Sequence, residues 1–249
     1  MATTDLNIEG RVGDITFYKR DGKTIIRLNE GIARSRIKRG KEFTINRKHR
    51  KEFTACKQTA SCIYVAFNKL LIEISLRYKV TETNLLKLLR LIQLETGTQI
   101  LGKRTIQISL LLFNYKFVGD FNNTVNFAYL DEISSNSFAI TIPKFNATNS
   151  VTAPEGATHF KLIFSMIIMK ATTYNELTKN YNNITAKEKQ TQYGELQNIT
   201  EQTEIQVFSF HFNINSGEAL IIAVGIAFYN NDINMYLGNA SKIFNVYNY

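Results

Sequence analysis

Beyond about residue 104 the sequence is a succession of short β-type runs separated by turns. The clearest run spans residues 205–212, where Phe208, Phe210 and Phe212 alternate with Ser209 and His211. This alternation is the pattern of a strand with one buried face. Turns containing Asn, Gly and Ser separate the runs and predict an antiparallel β-sandwich. The predicted strands are Thr105–Phe113, Tyr115–Val118, Thr124–Leu130, Phe138–Ile142, His159–Lys170, Glu204–Phe212, Leu220–Tyr229 and Ile243–Tyr247.

A polar stretch at residues 174–203 interrupts this pattern. Because it lacks apolar alternation, we expect a long surface loop there, with a helical turn around Ala186–Gln190. The longest apolar run, from Ala219 to Tyr229, has 11 residues. A transmembrane helix needs about 20 residues, so this run predicts a buried strand, and we predict no membrane span.

Residues 44–97 show the periodicity of helices instead. From Thr44 to Tyr78 an apolar stripe recurs at steps of three and four residues, which is the repeat of one helix face. The stripe consists of Phe53, Cys56, Ala60, Ile63, Phe67, Leu70 and Ile74. A second helix, apolar nearly all round, follows a cap at Thr81 or Asn84 and ends at Gly97. The short link between the two helices predicts a helical hairpin.

The N-terminal segment contains a predicted β-hairpin. Two β-rich runs, Ile15–Tyr18 and Thr24–Leu28, flank Asp21 and Gly22, and such a turn needs positive φ angles that Asp and Gly tolerate. A third strand is expected within residues 7–12. The predicted fold is therefore α+β. An N-terminal β-hairpin and helical hairpin occupy residues 1–103, and an antiparallel β-sandwich occupies residues 104–249.

The positive charge is concentrated near the N-terminus. The chain has 30 Lys+Arg and 21 Asp+Glu, a net charge of +9, and residues 1–57 hold 15 of the basic and 7 of the acidic side chains. The 18 residues from Arg34 to Lys51, here called the basic segment, contain a single acid, Glu42. The segment's nine basic residues are Arg34, Arg36, Lys38, Arg39, Lys41, Arg47, Lys48, Arg50 and Lys51. This density favours a polyanion, an anionic membrane surface or an acidic protein partner.

The sequence contains no recognisable catalytic, cofactor or metal constellation. Cys56 and Cys62 are six residues apart in a helical pattern, so they point to different faces and are expected to be unpaired core thiols. The three histidines, His49, His159 and His211, are scattered and share no ligand spacing with the cysteines. We therefore predict a protein that is not an enzyme and has no cofactor.

The N-terminal motif resembles that of a family of Bacteroidota proteins. In this sequence it comprises GRVG at residues 10–13, TFYK at 16–19, DG at 21–22 and the arginine-rich run that begins at Arg34. Members of that family open with the same glycine, Thr-Phe-Tyr-Lys and Asp-Gly pattern and continue into an arginine-rich helix. Weaker similarities at residues 102–104 and 153–161 extend the resemblance over most of the chain.

The resemblance implies the Plug subunit of the type IX secretion translocon. Such a subunit is a soluble, non-enzymatic protein at the periplasmic mouth of a large outer-membrane barrel, whose pore it closes. The implied partner is therefore that translocon barrel, and the implied location is the periplasmic side of the outer membrane. The first ten residues, MATTDLNIEG, lack the basic and apolar regions of a secretory signal. That observation by itself predicts a cytoplasmic location.

The basic segment leaves a second function open. A nucleic-acid-associated or phage-derived structural protein would use the same segment to bind a polyanion. Stacking aromatics interleaved with the basic residues would support that function. Only Phe43 and Phe53 lie nearby, and their spacing suits a helix core equally well. A protein partner is therefore the favoured hypothesis, with nucleic acid as the alternative.

Overall fold

The computed structural model describes residues 2–4, 9–28, 32–74, 115–182, 184–231 and 233–249. Contacts divide the chain into two units, Met1–Arg47 and Lys48–Tyr249. The predicted boundary between residues 103 and 104 lies outside the described residues, as do the predicted helix at 81–97 and the predicted strand at 105–113. The described secondary structure is α+β, with an N-terminal β-hairpin and an antiparallel β-rich body, as predicted.

The first unit contains a four-stranded antiparallel sheet in the order β1-β4-β3-β2. Its strands are β1 (Ala2–Thr4), β2 (Gly10–Val12), β3 (Ile15–Arg20) and β4 (Lys23–Leu28). The turn between β3 and β4 has positive φ at both Asp21 (52°) and Gly22 (75°), which matches the right-handed twist of the strands that it joins. The predicted hairpin is thus confirmed, and β1 is an additional strand.

Helices follow the sheet along the chain. They are α1 (Arg34–Arg39), a 3₁₀ turn (Lys41–Phe43), α2 (Thr44–Ala66) and α3 (Asn68–Ile74). The predicted single helix is therefore broken at Phe67, although its hydrogen bonds continue through Phe67 N–H to the Ile63 carbonyl (3.0 Å). The predicted stripe is buried from Cys56 to Ile74, but Phe53 is 41% exposed, so its assignment to the core was wrong.

The second unit continues with two short helices and twelve strands among the described residues. In chain order they are β5 (Lys116–Val118), α4 (Phe121–Thr124), β6 (Leu130–Ile133), β7 (Ser137–Ile142), α5 (Ala147–Ser150), β8 (His159–Lys170), β9 (Tyr174–Asn175), β10 (Asn180–Tyr181), β11 (Ala186–Tyr193), β12 (Gln197–Asn198), β13 (Gln206–His211), β14 (Glu218–Asn230), β15 (Ile233–Asn234) and β16 (Ala240–Asn248).

A seven-stranded antiparallel sheet forms the centre of this unit. Its main path has the order β11-β8-β14-β16-β5, with β12 added to β8 and β15 added to β14. Every residue of β14 from Glu218 to Tyr229 is buried, because both faces of the sheet are covered. One face packs on α2 and α3 through residues such as Ile221. The other packs on a three-stranded sheet, β13-β7-β6, through residues such as Ile222.

The sequence prediction fails in two places in this unit. Residues 124–130 were predicted as a strand, but α4 ends at Thr124 and β6 begins only at Leu130. Local hydrogen bonds explain the start of this stretch, since the N–H groups of Thr124 and Val125 donate to the Asp120 (3.0 Å) and Phe121 (2.9 Å) carbonyls and close a helical turn. The Thr124 hydroxyl also donates to the Asp120 carbonyl (2.9 Å). Residues 174–203 were predicted as a loop with a helical turn at Ala186–Gln190, but that turn is instead part of the strand β11.

The structure of β11 explains why its sequence was misread. It lies at the edge of the seven-stranded sheet and pairs with β8 on one side. The side chains of Gln190 and Gln192 do not enter an apolar core but bond the backbone of β13. Gln192 Oε1 accepts the Ser209 N–H (3.0 Å), and Gln190 Nε2 donates to the His211 carbonyl (2.6 Å). A strand stabilised in this way needs polar side chains, so apolar alternation is absent.

Candidate functional site

In the first unit the basic segment forms a corner, which comprises α1, the 3₁₀ turn and the start of α2 (residues 34–47). Arg47 holds these elements together. Its guanidinium Nη1 donates to the carbonyls of Ile37 (3.0 Å) and Gly40 (2.8 Å). Its Nη2 donates to the Thr44 hydroxyl (3.0 Å), which in turn donates to the Lys41 carbonyl (2.7 Å). One half-buried side chain therefore links the end of α1 to the start of α2, as the planar fork of arginine allows.

A second contact in the corner uses the only acid of the basic segment. Arg36 Nε lies 2.9 Å from Glu42 Oε1. This hydrogen bond lowers the pKa of the Glu42 carboxyl below its ordinary value, with a further contribution from a backbone hydrogen bond of Glu42 itself. Both side chains are exposed, so the pair contributes little to stability. Glu42 thus pairs directly with Arg36, and the charge of Arg47 also lowers its pKa.

Among the described residues, four basic side chains of the corner have no acidic partner: Arg34, Lys38, Arg39 and Lys41. All four are exposed, and none forms an ion pair with any described residue. Arg34, Lys38 and Arg39 belong to α1, whose six residues place them on successive turns. The first unit therefore presents a compact group of cations on a short helix whose position is fixed by Arg47.

The other three predicted residues lie on α2 in the second unit. Lys48 and Arg50 are exposed and form no ion pair with the described residues. Lys51 is engaged, because its Nζ donates to the Lys179 carbonyl (3.1 Å) and lies 6.0 Å from the centre of the Tyr174 ring. The structure thus assigns six of the nine predicted residues to the first unit and three to the second.

A groove in the second unit was not predicted from the sequence. It lies between one face of α2 and the start of β11 and has a volume of about 770 Å³, within the usual range for ligand-binding clefts. Its α2 wall consists of Gln58, Ser61, Cys62, Val65 and Ala66, and its opposite wall of Tyr181, Asn182, Ile184, Thr185, Ala186, Lys187 and Lys189. Lysines are the only charged residues among these.

The two lysines of the groove differ in their bonding. Lys187 Nζ lies 2.9 Å from Glu218 Oε2 and also donates to the Asn213 carbonyl (2.8 Å). Glu218 is buried, which alone would raise the pKa of its carboxyl, but hydrogen bonds from Lys187 and the Asn215 N–H lower it below the ordinary value. Lys189 is exposed and forms no ion pair with the described residues. Lys189 is therefore the cation of the groove that is available to an anion.

The cysteines take the positions expected for thiols that are not bonded to each other. Neither forms a disulfide; Cys56 is buried and Cys62 is half-buried in the groove wall. Burial raises the pKa of the Cys62 thiol, against opposing effects of the Ala186 backbone and the Lys189 charge. A thiol with a raised pKa is protonated at neutral pH and is a weak nucleophile. The groove is therefore suited to binding rather than to thiol chemistry.

A polar cluster between α3 and β14 contains a tyrosine, Tyr229, with a strongly shifted pKa. The Tyr229 hydroxyl donates to the Glu73 carboxylate, and burial together with that hydrogen bond raises the pKa of Tyr229 far above its ordinary value. Asn234 Nδ2 donates to the Glu73 carbonyl (2.6 Å). These contacts join α3 to β14 and β15, so we interpret the cluster as structural.

The described part of the chain contains no group of three or more His, Cys, Asp or Glu residues placed to hold a metal ion. None of its helices has the length and apolarity required to cross a membrane.

Residue types and spacing could have revealed the groove only in part. Lys187 and Lys189 are followed by the β-compatible Thr191 and Tyr193, which is a weak strand signal within a polar stretch. The wall on α2 follows the helical spacing of Gln58, Ser61, Cys62 and Val65. Their proximity to β11 could not be predicted, because more than 100 residues separate the two walls in the sequence.

Comparison with known proteins adds no relative. No protein-family model matches the sequence, and no curated protein matches it. The resemblance to the Bacteroidota family therefore rests on the N-terminal motif and the weaker similarities that follow it, and it remains a prediction.

Proposed function

We propose that this chain is a non-enzymatic binding protein that docks on an acidic protein surface through its basic segment. The observation that carries the proposal is the group of exposed cations at Arg34, Lys38, Arg39 and Lys41, which have no acidic partner among the described residues. Uncompensated cations on a fixed backbone raise the local positive potential and speed the encounter with an anionic surface.

The corner supports a protein surface over a nucleic acid. Arg47 fixes α1 relative to the start of α2, and a fixed charge pattern suits recognition of one partner geometry. Non-specific binding to single strands usually adds aromatic rings on which bases stack. In the first unit the nearby aromatic, Phe43, is half-buried. Nucleic acid remains the alternative, because the same cations would bind phosphates.

The resemblance of the N-terminal motif supplies the finer form of the proposal. The partner is the type IX secretion translocon, and the chain acts as a plug that occludes the periplasmic end of its pore. The motif that carries the resemblance lies on β2, β3 and the β3–β4 turn, and the basic segment follows it. The proposed location is therefore the periplasmic side of the outer membrane.

Copurification from native membranes tests this function. The test variant reverses four corner charges (R34E, K38E, R39E, K41E), and the control reverses four exposed charges outside the segment (K23E, R27E, K57E, K69E). Each variant lowers the formal net charge from +9 to +1. We expect the wild type and the control to be recovered with a large outer-membrane protein and the test variant to be lost from that fraction.

Two other outcomes would contradict the plug proposal. Recovery without any membrane protein would remove it. Binding to a DNA duplex that weakens steeply with salt, and that is lost only in the test variant, would favour the nucleic-acid alternative.

A further inference from the structure

The backbone of β11 has an open edge among the described strands. β11 ends the main path of the seven-stranded sheet and pairs with β8 alone. The Gly194 N–H donates to the Leu162 carbonyl (2.8 Å), and the antiparallel register from Glu188 to Tyr193 continues this pairing. In such a ladder alternate residues bond the neighbouring strand. The N–H and C=O groups of Lys189, Thr191 and Tyr193 are therefore directed away from β8.

The groove lies beside this open edge. Its α2 wall runs from Gln58 to Ala66, about 12 Å at the helical rise of 1.5 Å per residue. That length accommodates roughly three to four residues of an extended chain. Val65 is 52% exposed and gives the wall an apolar contact, while Gln58 and Ser61 can accept or donate hydrogen bonds. The α2 wall of the groove can therefore contact the side chains on one face of a strand that is added to β11.

The charge of the groove selects the kind of strand that can enter. Its charged lining residues are both lysines, and Lys187 is already bound to Glu218. Lys189 is exposed and directs its backbone groups to the open edge. An acidic side chain on a neighbouring strand would lie opposite or diagonal to Lys189, and opposite charges in those positions are stabilising.

We propose that β11 binds an extended acidic peptide of another protein as an added β-strand, with alternate side chains of the peptide in the groove beside α2. Backbone hydrogen bonds to the odd-numbered residues of β11 supply affinity, and Lys189 with the α2 wall supplies selectivity. The inference goes beyond the proposed function, since it involves the second unit alone and none of the nine predicted residues.

A second copy of the chain is a poorer occupant than an acidic peptide. Pairing of β11 with itself in a register that places Lys189 opposite Lys189 would bring like charges together, and like charges on neighbouring strands are destabilising. Lysines on an edge strand commonly oppose such self-association. The same charges that repel β11 of another copy attract a strand rich in Glu or Asp.

The test uses the full chain and a fluorescein-labelled hexapeptide with the sequence Glu-Val-Glu-Val-Glu-Val. We expect a saturable increase of anisotropy below about 1 mM and no such increase with a Lys-Val-Lys-Val-Lys-Val peptide. Two further peptides carry N-methyl groups, one at residues 1, 3 and 5 and the other at residues 2, 4 and 6. At least one of them should not bind, because its methyl groups remove the hydrogen bonds of the strand edge that faces β11. Occupancy should also slow alkylation of Cys62, while Cys56 stays unreactive because it is buried.

Two protein variants make the test specific to the groove. K189E should weaken binding of the acidic peptide by about five-fold, the effect of losing a favourable cross-strand pair. K57E changes an exposed lysine of α2 outside the groove and should leave binding unchanged. Circular dichroism establishes that both variants are folded. The absence of saturable binding at 1 mM, equal binding of the Lys-Val peptide, or unchanged binding by K189E would each overturn the proposal.

Discussion

Arg47 differs from the other cations of the basic segment because its charge is directed into the protein. Its three hydrogen bonds reach groups three, seven and ten residues earlier in the chain. Counting basic residues in the sequence finds Arg47 but cannot distinguish it from Lys48, since the distinction depends on where the chain turns between α1 and α2. The sequence thus predicts the site as a charged region, and the structure separates its organising residue from the exposed ones.

Replacing Arg47 should therefore loosen the corner. We expect R47A to destabilise it by about 1–2 kcal/mol, because a net hydrogen bond contributes about 1 kcal/mol and the bonds here are partly exposed. Hydrogen exchange at the amides of residues 36–43 measures the effect, and faster exchange is expected. R47K should behave almost like R47A, because lysine lacks the planar fork.

Lys48 provides the control for Arg47. K48A removes an adjacent exposed charge with no ion pair among the described residues, and its effect should stay within about 0.5 kcal/mol. Equal exchange rates in R47A and K48A would show that the Arg47 bonds do not hold the corner.

Glu218 is the buried acid whose charge state should matter for stability. Its pKa lies below the ordinary value when folded, so the folded state is favoured above the ordinary carboxyl pKa of about 4.3 and loses that advantage as the pH falls through the folded pKa. We expect E218Q to destabilise the protein by about 2 kcal/mol at pH 7, because it removes the buried partner of Lys187. Urea unfolding measures this difference.

The pH dependence of that difference identifies its cause. The gap between wild type and E218Q should shrink as the pH falls from about 4.3, where the carboxyl of the unfolded chain takes up a proton, through the lower pKa of the folded state. E204Q, which removes an exposed partner of Lys144, should cost less than about 1 kcal/mol at every pH. A gap for E218Q that is constant from pH 7 to pH 3 would rule out a role for its charge.

At the scale of elements, strands buried on both faces were predictable and the edge strand was not. β14 is apolar almost throughout and β8 over most of its length, because helices cover one face and a second sheet covers the other. β11 follows a different rule, since Gln190 and Gln192 bond the backbone of β13, and Glu188 accepts the Asn213 N–H just beyond it. Predicting this strand from sequence would require knowledge of where β13 lies, and β13 is contributed by a later part of the chain.

The contacts between β11 and β13 should be measurable at one amide. Gln192 bonds both the N–H and the C=O of Ser209, as a neighbouring strand would. We expect Q192A to destabilise the protein by about 1–2 kcal/mol and to speed hydrogen exchange of the Ser209 amide. K189A alters the opposite face of the same strand and serves as the control. If Ser209 exchanged equally fast in Q192A and K189A, the side-chain contact would not protect this edge.

The whole molecule separates into two units that differ in charge and in core. Both apolar clusters consist of residues between Ala55 and Tyr247, so they belong entirely to the second unit. The first unit has a small sheet with Thr24 as its buried strand residue among those described. A unit with so little buried apolar surface contributes little to global stability.

A chain shortened to residues 48–249 should therefore fold. We expect a single cooperative transition in urea, with an unfolding free energy within about 2 kcal/mol of that of the full chain, because the cores responsible for cooperativity are retained. Circular dichroism and tyrosine fluorescence should give coincident transitions. A broad transition, or different midpoints by the two probes, would show that the first unit is needed for folding.

The strand order of the central sheet has a consequence for how the protein is made. β8 and β14 pair over twelve residues, yet residues 171–217 separate them along the chain. At a synthesis rate of about 5–20 residues per second, β14 is completed roughly 3–12 s after β8. During that interval the nascent chain carries the apolar strand β8 without β14 on one of its edges. Chaperones bind such segments, and other nascent chains can pair with them. The pairing that stabilises the finished molecule is thus the one that leaves the unfinished chain prone to aggregate.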